Sequence, residues 1–484
     1  MKQNKFFILA AALAFVACSS DDNYTAKEKA SQAPQEVSFS AYVNRGVTRA
    51  GYAGAAIANT GSPTAASLST VGFGVFAYYT DADFYDQTFT PNFMYNQKVS
   101  GTTWTYSPLK YWPNEFGSNS ASDDIDKVSF FAYAPYVTVE PTTGKVKAPT
   151  SSELGDDGDN TYGIVAVKKN NATGDPMVKY ITTFYTDKQV DLLWGTVAST
   201  SETWALKQSD NQSLTAGLPW LDVEHPKGTA TDQKVKFDFK HALASLNVTV
   251  DTYADKATGT PTHETSGQSP DTKTKVFIRS VTFEGFDTKA ALNLNNTKEN
   301  TALWFTFDCC CEELSKGAET TIQDGRKDGK EGLTKDTKEY AAINPNFVQD
   351  NVWESTKTGV TGTAANLFCT SASATPGVAA PIYVIPNNDP LKVTIEYDVL
   401  TADDKLAGKL NDGTTHGSVV KNVITRYITT GEIGSTASTE AMILNNGKQY
   451  TIKLHLGLNS VEFEASVTDW DDAIEGGADL PHNN

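Results

Sequence analysis

Short runs in which β-branched or aromatic residues alternate with polar or small ones recur along this chain, and they restrict its fold more than any other feature. Most are bounded by Thr, Ser, Asn, Asp, Gly or Pro, the residues that form turns. A period of two residues is typical of strands, and strong helical periodicity is nearly absent. The sequence therefore predicts an all-β fold of two antiparallel β-sandwich domains in tandem. The predicted strands are Val71–Tyr79, Val128–Tyr136, Lys234–Phe239, Leu246–Val250, Val276–Phe283, Ala379–Ile385, Leu391–Tyr397 and Tyr450–Leu458.

The length and charge of the chain limit its organisation and its partners. It has 484 residues, enough for two or three domains, and a net charge of −18. Such a charge repels nucleic acid and anionic lipid surfaces, so nucleic acid is not an expected partner. The loop-rich stretch 207–232 suggests a boundary near residue 232. We therefore predict an N-terminal sandwich over 50–232 and a C-terminal sandwich over 233–484.

The N-terminus is typical of an exported protein. Lys2 and Lys5 precede an apolar run, Phe6–Ala17, that is shorter than the about 20 residues needed to span a bilayer. We predict a signal peptide over 1–17. Cys18 follows the small residue Ala17, as in the sequences at which bacterial lipoproteins are cut and acylated, so Cys18 is the predicted lipidation site. The alternative is an ordinary secretory signal with a chance cysteine.

Two distant segments carry the same apolar pattern. Val37–Val43 reads VSFSAYV and Val461–Val467 reads VEFEASV, so Val, Phe, Ala and Val recur at alternate positions. Alternate residues share one face of a strand. The two strands thus offer nearly the same ridge, and each could fill the same groove, unless the match is a coincidence. The ridge residues are Val37, Phe39, Ala41 and Val43 in the first strand, and Val461, Phe463, Ala465 and Val467 in the second.

The residues after the first ridge contain candidate cleavage sites. Arg45 and Arg49 lie in NRGVTRAG, a stretch of small residues that is open to an arginine-specific protease. A cut between Arg49 and Ala50 would release residues 18–49, which we interpret as a tether and a removable first strand. A sandwich that loses a strand exposes an apolar groove and unpaired edge groups. A matching strand from another subunit could fill the groove, and repetition would build a filament.

In these features the chain resembles the fimbrillin-like pilins of Bacteroidota, the FimA/Mfa type that builds type V pili. The resemblance covers most of the chain and includes the leader, with acidic Asp21 and Asp22 after the cysteine as in surface-exported lipoproteins. Its other segments are VTRAG at Val47–Gly51, LKYWPN at Leu109–Asn114, VSFFAYAPY at Val128–Tyr136, FDFKHALASLNVTV at Phe237–Val250, PIYVIPNN at Pro381–Asn388 and GKQYTIKLHLGLNSVEFEASVTDW at Gly447–Trp470.

This resemblance implies a structural subunit that serves adhesion. It implies transthyretin-like sandwiches, delivery to the cell outer membrane through the lipid, cleavage at Arg49 with Arg45 as the alternative, and polymerisation by donor-strand exchange. The implied partners are other pilin subunits, an arginine-specific surface protease, the outer membrane before maturation, and an adhesion receptor that the sequence does not identify. The implied place after maturation is the fimbrium. Shaft, tip and lipid-retaining anchor roles all stay open.

Signals for catalysis or cofactor binding are weak, so we expect no enzyme, no cofactor and no metal site. Gly72-x-Gly74-x-x-Ala77 lies within a strand pattern, where glycines permit close packing against aromatic rings. The acidic run Asp156–Asn160 lacks the spacing of a calcium loop. Cys309, Cys310, Cys311 and Cys369 have no assigned role or redox state.

A carbohydrate-binding surface lipoprotein is the alternative function. Tryptophans could serve it as sugar platforms, although we favour a place in the core for them. The tryptophans considered are Trp104, Trp112, Trp194 and Trp220.

Overall fold

Strands make up nearly all the regular structure of the protein in this computed structural model, which confirms the predicted all-β fold. The one helix among the described residues is Leu68–Val71, and none there is long and apolar enough to cross a membrane. The described residues are 35–43, 56–57, 66–81, 83–113, 127–142, 163–182, 190–197, 217–224, 234–252, 273–296, 301–305, 320–324, 343–344, 346–348, 355–368, 381–429, 440–458 and 461–469.

The strands lie where β-branched and aromatic residues alternate with polar ones, since such side chains fit a pleated, half-buried surface. Every strand segment predicted from the sequence overlaps one of them. In chain order they are β1 Ser38–Val43, β2 Ala56–Ile57, β3 Ala66–Ser67, β4 Phe73–Asp81, β5 Met94–Val99, β6 Lys127–Ala134, β7 Gly163–Val167, β8 Met177–Ile181, β9 Leu193–Val197, β10 Trp220–Glu224, β11 Lys234–His241, β12 Ala244–Thr252, β13 Thr274–Glu284, β14 Phe286–Asp287, β15 Lys289–Asn293, β16 Leu303–Phe305, β17 Thr320–Asp324, β18 Ala365–Asn366, β19 Ile382–Pro386, β20 Lys392–Ala402, β21 Gly417–Tyr427, β22 Lys448–Leu456 and β23 Val461–Asp469.

The first sheet is buried on both faces. Its order is β1-β11-β9-β6-β4-β5, with β10 paired to β6. Apolar residues from all of these strands meet in one cluster on its inner face. Its outer face packs against the second sheet, β16-β15-β8-β7. Strand β6 is therefore buried along its whole length, with Phe130 in the inner cluster and Phe131 in the outer one.

The third and fourth sheets enclose a separate core. The third sheet has the order β14-β19-β12-β22-β23, with β18 on β12, and the fourth has the order β17-β13-β20-β21. Their facing residues form one cluster, which includes Val248, Ile278, Ile395 and Ile452. Most strand pairs are antiparallel, as predicted, but β1 pairs parallel to β11 and β12 pairs parallel to β22.

Residues 36–484 form one compact unit, and strands from beyond residue 232 enter both of the first two sheets. Strand β11 lies between β1 and β9, and β15 pairs with β8 through Ala290 and Tyr180. The predicted domain bounds, 50–232 and 233–484, and the transthyretin-like character of each domain stay predictions.

The glycine motif near residue 72 packs as predicted. Gly74 lies in β4, and a Cβ added there would collide with the Tyr133 ring and approach Asn96 Oδ1 to 2.7 Å. Gly72 has φ +76°, a left-handed conformation that suits glycine. The motif therefore serves strand packing against an aromatic ring.

Candidate functional site

Strand β1, which carries the first ridge, is an edge strand with contacts on both of its sides. Its parallel ladder with β11 runs from the Ser38–Lys234 pair to the Val43–Phe239 pair. On the other side, the Val37 amide donates to the Lys110 carbonyl at 2.9 Å. The start of β1 is thus fixed between β11 and the 105–111 segment.

The ridge of β1 is buried in the inner cluster of the first sheet. Val37, Phe39 and Ala41 are no more than 1% exposed, whereas the alternating Ser38 and Ser40 are half-buried. The Phe39 ring lies among four aromatic rings, at centroid distances of 5.5 Å from Tyr106, 6.0 Å from Phe130, 6.2 Å from Phe237 and 6.3 Å from Phe73. Removing β1 would therefore leave a groove lined by aromatic side chains.

Tyr106 joins β1 to the neighbouring segment. Its hydroxyl donates to the Val37 carbonyl at 2.6 Å and accepts from the Lys110 amide at 3.2 Å. Burial raises the pKa of Tyr106 to about 12, because the phenolate would lose its hydration. Sequence reasoning missed this residue, although the concentration of aromatic residues from Trp104 to Trp112 was a signal for it.

Strand β23, which carries the second ridge, forms the edge of the third sheet. It pairs antiparallel with β22, from Leu456–Val461 to Lys448–Asp469. Val461 and Ala465 are 5% and 6% exposed in the core, but Val467 is 39% exposed. The backbone of Phe463 pairs with Leu454. Burial of the ridge thus decreases toward the C-terminal end of β23.

Ion pairs hold the outer face of β23 against β22. Lys453 Nζ lies 2.8 Å from Glu464 Oε2, and Lys448 pairs with Asp469. On the other side of β22, His455 contacts Asp251 Oδ1 of β12 at 2.5 Å. The Lys453–Glu464 and Lys448–Asp469 pairs are partly exposed, so each of these two pairs contributes little by itself.

The structure places the two ridges at edges of different sheets and does not bring them together. Val43 is described as the last residue of β1. The other predicted residues, Cys18, Arg45, Arg49 and Ala50, lie outside the described residues, as do Asp156–Asn160, Cys309–Cys311 and Cys369.

The four tryptophans considered as sugar platforms belong to the core. Trp112, Trp194 and Trp220 are at most 4% exposed, and Trp104 packs against the inner cluster of the first sheet. His241 is buried as well, with Nδ1 2.7 Å from Asp191 Oδ2. Within the described ranges no group of three metal-ligating residues converges.

The fold and the edge strands define a class of all-β proteins. In this class the first described strand, β1, covers an apolar groove at the edge of one sheet, and the last described strand, β23, forms the edge of another sheet.

No model of a known protein family matches the chain. Over 82 residues it is 38% identical to the fimbrium subunit Fim1C of Phocaeicola vulgatus, a match that covers 16% of this chain and 19% of that protein. The chain thus aligns with about a fifth of the length of that curated relative.

The chain also aligns with a solved structure. The crystal structure of a fimbrial protein from Bacteroides vulgatus ATCC 8482 shares 18% identity, covers 90% of this chain and 100% of its own, and has a TM-score of 0.47. The sequence match to Fim1C confirms the resemblance to fimbrial proteins that was predicted from the sequence. It is also consistent with the expected non-enzymatic role.

Proposed function

We propose that this protein is a structural, adhesive subunit of a cell-surface fimbria. In this proposal it is exported as a lipoprotein through Cys18, cut after Arg49, and assembled with other subunits by donor-strand exchange. The single observation that carries the proposal is the position of Phe39: a ring buried among four aromatic rings, on a strand at the edge of its sheet. The match to a fimbrium subunit supports the same role.

The energetics of β1 explain why its loss would drive assembly. Burying a Val or Phe side chain contributes about 1.5–3 kcal/mol each, so Val37 and Phe39 together contribute about 3–6 kcal/mol. A subunit without β1 would expose the facing aromatic residues and the free edge of β11. A replacement strand would recover both the apolar burial and the parallel hydrogen-bond ladder.

The ridge order predicts the direction in which a donor strand enters. Strand β1 runs parallel to β11. If the Val461–Val467 segment of another subunit entered in the same direction, Phe463 would take the place of Phe39, and Ala465 that of Ala41. In the opposite direction the Phe and Ala would exchange places, and the phenyl ring would meet the space shaped for Ala41. We therefore propose parallel insertion.

The partly exposed end of β23 gives a route for its release. Val467 is 39% exposed, and the neighbouring Ser466, Thr468 and Asp469 are exposed. Peeling from this end breaks the exposed Lys448–Asp469 pair before it uncovers Ala465, and it breaks the Lys453–Glu464 pair before it uncovers Val461. The subunit can thus release its own strand stepwise.

Replacing Arg49 with Ala tests the proposed maturation. We expect the Arg49→Ala chain, treated with an arginine-specific protease, to keep β1 and stay monomeric, while the wild type forms ladders in non-boiled electrophoresis. Arg45→Ala is the matched control and should assemble like the wild type. Assembly of Arg49→Ala at the wild-type rate would refute cleavage there as the trigger, and a block in Arg45→Ala alone would move the cut to Arg45.

A further inference from the structure

A small polar cavity opens beside β16, at a distance in the sequence from both ridges. Its volume is about 110 Å³, and its lining combines the indole of Trp304 with amide, hydroxyl and carboxylate groups. The turn after β19 contributes Asn387 and Asn388, and the turn before β22 contributes Asn445. None of these residues belongs to a predicted site.

The aromatic wall of the cavity is fixed in place. The Trp304 indole Nε1–H donates to the Ala242 carbonyl at 3.2 Å, and the ring meets Tyr180 edge-on at a centroid distance of 6.5 Å. Trp304 is nevertheless half-buried, unlike the tryptophans of the core. A rigid, partly accessible indole is a suitable platform for a flat, partly apolar ligand.

Some polar groups of the cavity are held by hydrogen bonds within the protein, and others have no such bond. Asn387 is buried and donates to Asp287 Oδ1 at 3.0 Å, and its oxygen accepts from the Asp389 amide at 3.0 Å. Asn388 and Asn445 are exposed. Within the described part of the chain, the Asn388 side chain and the Asn445 Oδ1 atom have no hydrogen-bond partner, so both are available to a ligand.

We infer that this cavity binds one neutral sugar residue, such as the terminal unit of a glycan. The C–H face of a sugar ring packs on an indole, while neighbouring hydroxyls need groups that both donate and accept, as the amides of Asn388 and Asn445 do. Pockets for drug-sized ligands have volumes of about 300–1,000 Å³, so the smaller volume here favours a single unit over a bound chain.

The charge of the lining residues further restricts the class of sugar that can bind. The described lining of the cavity contains the carboxylate of Asp287 but no Lys, Arg or His. The whole chain is also acidic, with a net charge of −18. An anionic sugar or a phosphate would therefore meet repulsion without a compensating cation.

The inference that the cavity binds a sugar depends only on the geometry of the cavity. Only its use in adhesion rests on the proposed function. If that function holds, the cavity provides a glycan contact on the fimbrial subunit itself. No described residue of β1 or β23 lines the cavity, so strand exchange removes none of its lining side chains.

Two asparagines in the same backbone conformation provide a matched test. Asn388 has φ +65°, and Asn171, which is exposed and outside the cavity, has φ +64°. Glycine tolerates this left-handed conformation without strain, so Asn388→Gly and Asn171→Gly remove only the side chains. Both variants of the full chain would be titrated by calorimetry and saturation-transfer NMR with glucose, galactose, mannose, N-acetylglucosamine and N-acetylgalactosamine.

We expect the wild type to bind at least one of these neutral sugars and Asn388→Gly to bind it about five- to tenfold more weakly, the loss typical of one or two hydrogen bonds. Asn171→Gly should bind like the wild type. Absence of binding to the whole panel, equal binding by Asn388→Gly, or tighter binding of N-acetylneuraminic or glucuronic acid would overturn the inference.

Measuring assembly and sugar binding in the same two variants tests this inference separately from the proposed function. Asn388→Gly should still form wild-type ladders, and Arg49→Ala should still bind the sugar. If Arg49→Ala assembles normally, the proposed maturation fails while the sugar site stands. If sugar binding is absent while Arg49→Ala blocks assembly, the sugar site fails alone.

Discussion

Strands β1 and β23 carry the same ridge of Val, Phe, Ala and Val, but the molecule holds them in different ways. In β1 the ridge residues Val37, Phe39 and Ala41 are at most 1% exposed, and the rings around Phe39 come from three other strands and the Tyr106 segment. Strand β23 is fixed partly from the outside, by ion pairs to β22, while Val467 reaches solvent. Identical ridges therefore do not imply equal attachment. This difference is what the proposed assembly requires, in which the first strand leaves only after cleavage and the last strand is released from its exposed end.

The largest expected change in stability comes from removing the buried ring that holds β1 in its sheet. Phe39→Ala would empty the space among four rings and lower the free energy of unfolding by about 3–5 kcal/mol. Val467→Ala, on the exposed end of β23, should change it by less than about 1 kcal/mol. Urea unfolding of both variants measures the contrast. Phe84→Ala, at a ring that is 42% exposed, controls for the loss of a phenyl group; an equal loss in Phe84→Ala and Phe39→Ala would disprove the deep attachment.

A smaller effect concerns the hydroxyl that joins β1 to its neighbouring segment. Tyr106→Phe removes the hydrogen bond to the Val37 carbonyl, and we expect a loss of about 1 kcal/mol at neutral pH. Tyr111→Phe, at a side chain that is 48% exposed, is the neighbouring control and should be nearly neutral.

The same tyrosine predicts a difference at alkaline pH. Burial raises the pKa of Tyr106 from 10.0 to about 12, so between these values the unfolded chain loses a proton that the folded chain keeps. This contribution to stability is complete below pH 10 and is lost as the pH rises through 12. The difference in unfolding free energy between wild type and Tyr106→Phe should therefore narrow over this interval. A constant difference would show that the folded and unfolded chains release this proton alike.

The smallest effect concerns the ionic attachment of β23. Glu464→Gln removes the pair with Lys453, and we expect a loss of about 0.2–1 kcal/mol in dilute salt that shrinks in 1 M NaCl. Asp404→Asn, at an exposed turn residue, is the control for loss of a carboxylate. Chemical unfolding at both salt concentrations measures the change. A loss that salt leaves unchanged would assign Glu464 a role in packing instead.

The comparison also separates what could be predicted from what could not. The strands around Val128–Tyr136 and Tyr450–Leu458 were found because alternation of side chains is a local property of an extended backbone. The cavity beside Trp304 could not be predicted from such alternation, because its lining residues come from segments far apart in the sequence. The partners Tyr106 and Lys110 were missed for the same reason.

The sequence by itself determined the all-β class, the positions of the main strands and the existence of two matching ridges, because each depends on residues within one short segment. It also supplies Cys18 and Arg49 as predictions. Only the tertiary structure decided that β1 lies parallel to β11, about 200 residues further along the chain, that Phe39 is surrounded by rings, and that Val467 is exposed. Strand pairing and burial are set by long-range contacts, and the same ridge acquires a different environment in each sheet.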